Sequence, residues 1–540
     1  MQMQKKEPQL RRAVRPWGSF AWGYSDVGAD IFVGLGLVLA YAAGASNVAF
    51  LFAGAVYVCI GLAYTELAAA YPVAGGGQYF VMRGLGDVFG FIAGWAVLLD
   101  FTIDVTLFAW SCVDYLSQLL PVLVPSMHPW VHFAVVLGLI GALCLLNVVG
   151  VRESTAFQGS VSAIDVLSET LILCFGFLFA FDPQLLVHTM TTAWPSTFAL
   201  MQGVSLAIIS FVGLESISQA AQETQRPASV IPRTSIALIL TILIFALGYS
   251  NLALGMHPWH PITDAHGHAL AFWQIFPNNG DNQGKGVALL SAQVPYWGLL
   301  AQYYVPLLGA ILLLISSNSG VFGSSRIAYA MSRARLLPSI FQHVHRRFRT
   351  PVISIVTFCA LAAVELVFAA LPGLDPSARA VYARLFHGED GITFLGDLYA
   401  FGAATSYSLV FVALIALRFT DPLSPRKFKM PVNIPLRFQG RRVEFPVIGL
   451  LGFIGITAIL AFTIITHDIG RIAGPLWLVS GFVLYLLYRA RKRLPVFRSE
   501  DHDFRNGQID ILRNAGELEL MDEYIENLRS SPAMREEAGS

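Results

Sequence analysis

The chain has 540 residues, of which 55% are hydrophobic and 13% are charged, and its mean hydropathy is +0.60. Soluble domains carry about 25% charged residues, so this composition excludes an ordinary soluble protein and indicates an integral membrane protein. The formal net charge is zero, but basic residues crowd both ends of the chain. The sequence carries no nucleotide loop, nucleophile–base arrangement or specific metal motif, so we expect no enzyme activity, no cofactor and no nucleic-acid partner.

Hydropathy predicts an all-α polytopic protein with twelve membrane spans. Around them we expect a basic N-terminal tail over 1–21, a ten-span core over 22–419, two additional spans with their preceding loop over 420–490, and a C-terminal tail over 491–540. The tail is predicted to form a short amphipathic helix around Ile509–Leu528, which either packs on the protein or binds a partner. By the length rule the spans run roughly over 22–44, 48–70, 88–119, 130–150, 160–181, 197–221, 233–256, 298–331, 351–371, 393–418, 445–466 and 474–490.

Basic residues predict the orientation of these spans in the lipid bilayer. One side receives both tails, four single arginines and the two basic clusters at 333–349 and 418–442. The other side receives only Lys285, Arg379, Arg384 and Arg471. Basic loops stay in the cytoplasm, so we expect both termini to be cytoplasmic in a multi-pass cell-membrane protein. The long external loop, roughly 257–297, holds four histidines and Asp264, for which a solvated surface is favoured over a metal site.

The first span contains an unusual stretch, Asp26–Gly36, with two acids and three glycines. An intramembrane acid costs roughly 2.5–3.5 kcal/mol on insertion scales, and glycine weakens a helix by about 1 kcal/mol relative to alanine. We therefore expect a broken helix that holds a ligand. The alternative, that glycine merely allows close helix packing, explains Gly34 and Gly36 but not Asp30.

Span six repeats this combination in Ser210–Ser218, where Gly213 and Glu215 lie together at membrane depth. Spans one and six are the first spans of two five-helix halves. Interrupted helices at corresponding positions of two halves are the best sequence pointer to the central site of a transporter.

Several motifs occur in a specific order along the first ten spans. They are Ile31-Phe32-Val33 with Gly36, Tyr64-Thr65-Glu66-Leu67 with Tyr71–Gly76, Val151–Ser154, Phe211–Glu215 with Glu223-Thr224 and Ile231-Pro232-Arg233, and Arg326 with Tyr329–Arg333 and Leu336-Leu337-Pro338. On these motifs the chain resembles the amino acid–polyamine–organocation permease superfamily. The resemblance implies a five-plus-five inverted repeat with discontinuous helices one and six, two additional C-terminal helices, and alternating access around spans one, three, six and eight.

Two departures from the family pattern bear on the ligand. Family members often carry Gly-x-Gly before the Ile-Phe, where backbone amides receive a substrate carboxylate, but here the triplet is Gly28-Ala29-Asp30. In several proton-coupled relatives a lysine ends a span-five run that here reads Ser162-Ala163-Ile164-Asp165. The sign of that position is reversed, so lysine-based coupling does not carry over, and the ligand is expected to be a cation first.

The predicted interior is acidic. Asp100 and Asp104 share one face of span three, and Asp165 and Glu169 share one face of span five, since each pair is four residues apart. Buried like charges repel unless they share a proton or face a cation, so we expect at least one pair to bind substrate or ion. Other acids are Asp26, Glu66 and Asp397, for which solvation at span ends is favoured, and Glu365, which has no assigned role; Arg326 is the one predicted intramembrane base.

The sequence thus predicts a secondary transporter of amino acids, polyamines or other organic cations, coupled to H⁺ as the simplest ion or to Na⁺. The alternatives left open are a potassium-type importer of the same fold and a nutrient sensor that signals through its tail. The span-eight serines either bind an ion, as in sodium-coupled relatives, or bond their own backbone. The predicted substrate-binding residues are Gly28, Ala29, Asp30, Ile31, Asp100, Asp104, Ile209, Phe211, Gly213 and Glu215, and the predicted ion-coupling residues are Asp30, Asp165, Glu169, Ser316, Ser317 and Ser319.

Overall fold

The structure is a computed structural model that describes residues 14–530 except 74, 151–154, 264–265, 278, 387–390, 439–440 and 501. Eleven helical segments of the described chain are long and apolar enough to cross a membrane. The first of these, Pro16–Ala70, consists of two long helices joined by a short 3-10 turn at Ala43–Ala45. Numbered in order with those two counted separately, the spans are Pro16–Ala42, Ser46–Ala70, Asp87–Ser117, Pro129–Val149, Thr155–Phe179, the segmented span six, Pro227–Gly255, Gly298–Arg333, Val352–Leu374, Gly391–Thr420, Val447–Thr466 and Asp468–Lys492.

Shorter elements connect the spans. Two antiparallel strands, Asn433–Phe438 and Arg441–Pro446, form a hairpin between spans ten and eleven. The remaining short elements are the α-helices Gly76–Leu85, Pro183–Thr192, Gly286–Ala292, Pro376–Leu385, Phe504–Ala515 and Leu518–Ser530 and the 3-10 turns Pro121–Leu123, Phe272–Ile275, Gly280–Lys285 and Ser339–Gln342.

Span one is a continuous helix from Pro16 to Ala42, so the predicted break in this span is wrong. Its glycines allow close packing instead. A Cβ at Gly34 would collide with Ser210 Oγ of span six, and one at Gly36 would collide with the carbonyl oxygen of Gln283. Glycine has a low helix propensity, but the close packing that it allows at these two positions offsets this cost, and span one stays helical.

Span six is interrupted as predicted. An α-helix over Thr197–Ala207 tightens into a 3-10 turn at Ile208–Phe211, and a second short helix begins at Glu215. Between them Gly213 has φ +99°, a conformation that L side chains rarely adopt. The break places Glu215 at the start of the second fragment.

The C-terminal tail forms two helices, Phe504–Ala515 and Leu518–Ser530, and not the single helix predicted. Gly516 separates them at φ +70°, a left-handed helix end. Both helices pack on the bundle. Gln508 Nε2 donates to the carbonyl of Ala70, and the amide of Ala228 at the start of span seven donates to Glu517 Oε1 at 3.1 Å. We call this side of the bundle the tail side.

The segment before these helices docks on Asp87 at the start of span three. His502 Nε2 lies 2.8 Å from Asp87 Oδ1, and Arg489 Nη2 donates to Asp87 Oδ2 at 2.9 Å. The amide of Glu500 donates to the same carboxylate. One buried acid therefore holds the end of span twelve and the beginning of the tail.

The long loop opposite the tail side carries the predicted histidine group. His257 Nε2 lies 3.2 Å from Asp182 Oδ2, and the rings of His266 and His268 are 6.3 Å apart. Within the described residues, no three His, Cys, Asp or Glu side chains are placed to hold a metal ion. Asp264 and the Val151–Ser154 motif lie outside the described residues.

The packing of span one predicts a position-specific effect of adding one methyl group. Gly36→Ala should lower the unfolding temperature and the transport rate, because backbone at Gln283 cannot yield cheaply, and such overpacking costs about 1–3 kcal/mol. Gly141→Ala on span four, where the new Cβ meets no atom within 4 Å, is the matched control. Thermal unfolding of the two purified variants should separate them; equal unfolding temperatures would contradict the packing role of Gly36.

The docked tail should loosen as pH rises. The hydrogen bond to Asp87 raises the pKa of His502, against the lowering effect of burial. A raised pKa means that docking is stabilised below the ordinary value of about 6.5 and that this contribution is lost as pH rises through the raised value. Hydrogen exchange of residues 502–530, corrected for intrinsic rates, should therefore increase as the pH rises through this range. In His502→Gln this pH dependence should vanish; its persistence would assign it to another group.

Candidate functional site

Five carboxyl groups from three spans converge in the middle of the bundle. Asp30 of span one lies among Asp26, Asp100, Asp104 and Glu215. All five residues are at most 4% exposed. The structure therefore brings together the predicted acids of spans one, three and six, and adds Asp26, which the sequence analysis assigned to a solvated span end.

Hydrogen bonds fix the rim of this acidic cluster. Asp26 accepts from Ser216 Oγ of span six and from Ser316 Oγ of span eight, the latter at 3.3 Å. Tyr407 OH of span ten donates to Glu215 Oε2 at 2.6 Å. Asp100 and Glu215 lie next to each other in the cluster.

The centre of the cluster is not satisfied by protein groups. Among the described residues, both carboxyl oxygens of Asp30 and of Asp104 and one oxygen of Asp100 have no hydrogen-bond partner. None of the five acids forms an ion pair with a described lysine or arginine. Buried polar groups are normally partnered, so the cluster is suited to an incoming cation or to protons.

Tyrosines surround the acids, and the sequence analysis missed them. Tyr57 and Tyr64 of span two and Tyr399 and Tyr407 of span ten lie beside one or more of the five carboxyl groups. The hydroxyls of Tyr57 and Tyr64 have no hydrogen-bond partner among the described residues. Aromatic faces attract ammonium and guanidinium groups. Tyr57 and Tyr64 are seven residues apart and Tyr399 and Tyr407 eight, so each pair shares a helix face, but ordinary core residues of a span have the same spacing.

The remaining predicted substrate-binding residues are placed differently. Phe211 packs against Tyr57, with ring centroids 5.0 Å apart, and so lies near the cluster. The Ile209 side chain points toward Gly396 of span ten. Gly28, Ala29 and Ile31 lie inside the continuous helix of span one, where their amides take part in helical hydrogen bonding. These amides are therefore not free to bind a substrate carboxylate.

A second acid pair connects spans one and five. Tyr24 OH lies 2.8 Å from Asp165 Oδ2 and 2.7 Å from Glu169 Oε2, and all three side chains are buried. A phenol carries one hydrogen and donates one hydrogen bond. The second short contact therefore requires a proton on one of the two carboxyl groups. The structure thus brings the predicted pair together with Tyr24, a residue that the sequence analysis did not single out.

The span-eight serines point across to other helices. Ser316 bonds Asp26, and Ser317 Oγ donates to the carbonyl of Val105 in span three at 2.8 Å. Ser319 is half-buried on the same helix. Ser316 and Ser317 therefore bridge spans and do not bond their own backbone, the alternative that the sequence had left open.

Contacts between helices flank the acidic cluster in both directions along span one. Opposite the tail side, Tyr115 OH donates to the carbonyl of Phe32 at 2.7 Å, and Gln283 lies against Gly36. Toward the tail side, the Trp22 and Phe322 rings lie 5.9 Å apart.

Three further acids are buried, contrary to the solvated span ends expected for two of them. Glu66 pairs with Arg418, Nη2 to Oε2 at 2.7 Å. Asp397 lies 3.3 Å from His467 Nε2. The sequence could not show these partners, because they come from spans and loops distant in the chain. Glu365, unassigned from sequence, accepts from Thr102 Oγ1 of span three at 2.9 Å.

Comparison with known proteins agrees with the motifs. A family model described as amino acid permease matches residues 16–488. The chain is 24% identical over 476 residues to the branched-chain amino acid permease BcaP of Bacillus subtilis (strain 168), covering 86% of this chain and 89% of BcaP. It is 24% identical over 428 residues to the mitochondrial cationic amino acid transporter 3 of Arabidopsis thaliana, covering 76% of this chain and 62% of that protein. An uncharacterized transporter of Mycobacterium bovis is 28% identical over 337 residues, covering 61% of this chain and 67% of its own length.

Proposed function

The chain belongs to the amino acid permease family and is a multi-pass membrane transporter of amino acids, not an enzyme, and we propose that its substrate is a cationic amino acid or a related organic cation such as a polyamine. The observation that carries this proposal is the cluster of five buried carboxyl groups without a basic partner among the described residues. A cationic side chain and an α-amino group are the parts of such a substrate that this cluster suits.

The electrostatics favour a cation over a carboxylate at Asp30. Two like charges 4 Å apart repel by about 1 kcal/mol in water and about 4 kcal/mol at an effective dielectric constant of 20. A substrate carboxylate is therefore disfavoured beside Asp30. An amine at the same place is attracted by a similar amount and supplies hydrogen bonds to the unpartnered oxygens of Asp30 and Asp104.

Transport by alternating access is consistent with the arrangement of spans one and six. Span one is an unbroken helix, whereas span six can bend at Gly213, which lies against Val27 and Asp26 of span one. Movement of either span six fragment changes the surroundings of Glu215 and of the Ser216–Asp26 contact. We propose that these changes open the site to one side at a time.

We further propose that protons drive uptake through the Tyr24, Asp165 and Glu169 group. The two short contacts of Tyr24 need one carboxyl proton, so deprotonation breaks a bond between spans one and five. Loss of that bond weakens the connection between two spans that the protonated state holds by two bonds. The proton thereby favours one conformation over the other, as coupling requires.

Purified protein in liposomes should accumulate labelled lysine or arginine when the pH outside is lower than inside. Norleucine, which has the lysine backbone without the ε-amine, should compete weakly. Rubidium uptake in the absence of any amine would favour the potassium-type alternative, and indifference to all amines would overturn the proposal.

Asp30→Asn should abolish uptake of cationic substrates or change the substrate specificity while the protein remains folded. The amide is nearly the same size and removes the charge that the amine would meet, so the expected loss in uptake is about a hundredfold or more. Glu365→Gln is the matched control, because it neutralises another buried acid that lies between spans three and nine. Uptake rates at saturating lysine should fall only in the first variant, and wild-type transport by Asp30→Asn would return Asp30 to a structural role.

Glu169→Gln should separate transport from the proton gradient. The amide keeps a hydrogen-bond partner for Tyr24 but cannot release a proton, so exchange of internal for external lysine should continue while accumulation against a gradient stops. Counterflow and pH-driven uptake measured on the same liposomes distinguish the two. Accumulation that survives in this variant would place coupling elsewhere.

A further inference from the structure

The hairpin between spans ten and eleven has two chemically distinct faces. Its register pairs Ile434 with Phe445, Leu436 with Val443 and Phe438 with Arg441, so one face carries five apolar residues and has the Arg441 position at its tip. The alternate positions form the other face. There Pro435 pairs with Glu444, and Arg437 pairs directly with Arg442.

The hairpin lies at the level where two spans leave the membrane. Span ten ends at Thr420, and span eleven begins at Val447, the residue after the second strand. Phe419 at the end of span ten packs against Phe438, with ring centroids 5.3 Å apart. The amide of Val447 donates to the carbonyl of Val432, so the base of the hairpin is fixed to the start of span eleven.

The apolar face is only half covered by protein. Val443 is 4% exposed, but Ile434, Leu436 and Phe438 are 50%, 41% and 45% exposed. Three exposed large apolar side chains in alternating positions on one short strand are unusual on a surface that meets only water. Because this face packs on the end of span ten, its exposed part continues the apolar surface of the spans.

The opposite face carries an unpaired positive charge. Arg437 and Arg442 are both exposed and directly opposite in register, an arrangement in which like charges repel. Among the described residues neither arginine forms an ion pair, whereas the neighbouring Lys429 pairs with Glu444 at 2.8 Å. Glu444, the acid on this face, is therefore already paired with Lys429.

We propose that the hairpin is a docking element for anionic phospholipids in the leaflet on the tail side. The headgroup layer is about 5–7 Å deep, so a hairpin whose apolar face lies at the acyl boundary holds its other face at the depth of the phosphates. Arg437 and Arg442 bind those phosphates, and Ile434, Leu436 and Phe438 replace water by acyl chains. The predicted cytoplasmic orientation of this side places the hairpin on the leaflet in which anionic lipids are concentrated.

Hydrogen exchange of the full-length protein in nanodiscs tests this directly. The amides of residues 433–446 should exchange several-fold more slowly in phosphatidylcholine containing phosphatidylglycerol than in phosphatidylcholine alone. The double variant Arg437→Gln, Arg442→Gln should lose this lipid-dependent difference, because it removes both phosphate-binding charges. Arg513→Gln, which removes an exposed tail arginine paired with Asp510, is the control and should keep it.

A second double variant shows whether a loss of the effect comes from the missing charges or from misfolding. Arg437→Lys with Arg442→Lys keeps both charges and should retain most of the phosphatidylglycerol effect. Exchange that is equal in the two lipids, or a phosphatidylglycerol effect that survives in the double glutamine variant, would overturn the proposal. Protection that appears only when an acidic soluble protein is added would also overturn it and would assign the surface to a protein partner.

Discussion

The constraint on which the molecule depends is the desolvation of five carboxyl groups at one point in the membrane. Glycines let the helices meet there. A Cβ at Gly320 would lie 2.5 Å from Asp104 Oδ2, one at Gly402 would lie 3.1 Å from the Asp100 amide, and one at Gly213 would lie 3.1 Å from Asp26 Oδ2. The acids are therefore enclosed by backbone and not by side chains that could neutralise them. Protons or a bound cation must supply the missing positive charge.

The two buried acid clusters join different sets of spans. The central acids join spans one, three and six and present unpartnered oxygens, which suits a ligand that comes and goes. Tyr24, Asp165 and Glu169 join spans one and five through two short hydrogen bonds, although each carboxyl group keeps one oxygen that is unpartnered among the described residues. Span one belongs to both groups. Its continuous helix connects the proposed substrate site with the proposed proton site.

Much of this arrangement follows from the sequence, and the failures have identifiable physical causes. The lengths of the apolar segments predicted the spans, and the presence of Gly213 next to Glu215 predicted the break in span six. The same combination wrongly predicted a break in span one. The glycines of that span instead pack against Ser210 and Gln283, and only the tertiary structure shows these contacts. Asp26 was misassigned because span boundaries read from hydropathy are uncertain by several residues, which is a full helical turn of depth. Orientation and the inverted repeat remain predictions.

The structure with bound lysine tests the central claim most directly. Cryo-electron microscopy of the protein in nanodiscs with saturating lysine should show density for the ε-ammonium or the α-amino group within hydrogen-bonding distance of Asp30 and Asp104. The aliphatic stem should lie among Tyr57, Tyr64 and Tyr399. Density for the lysine carboxylate at Asp30, or a central cluster that stays empty while lysine is bound elsewhere, would contradict the account.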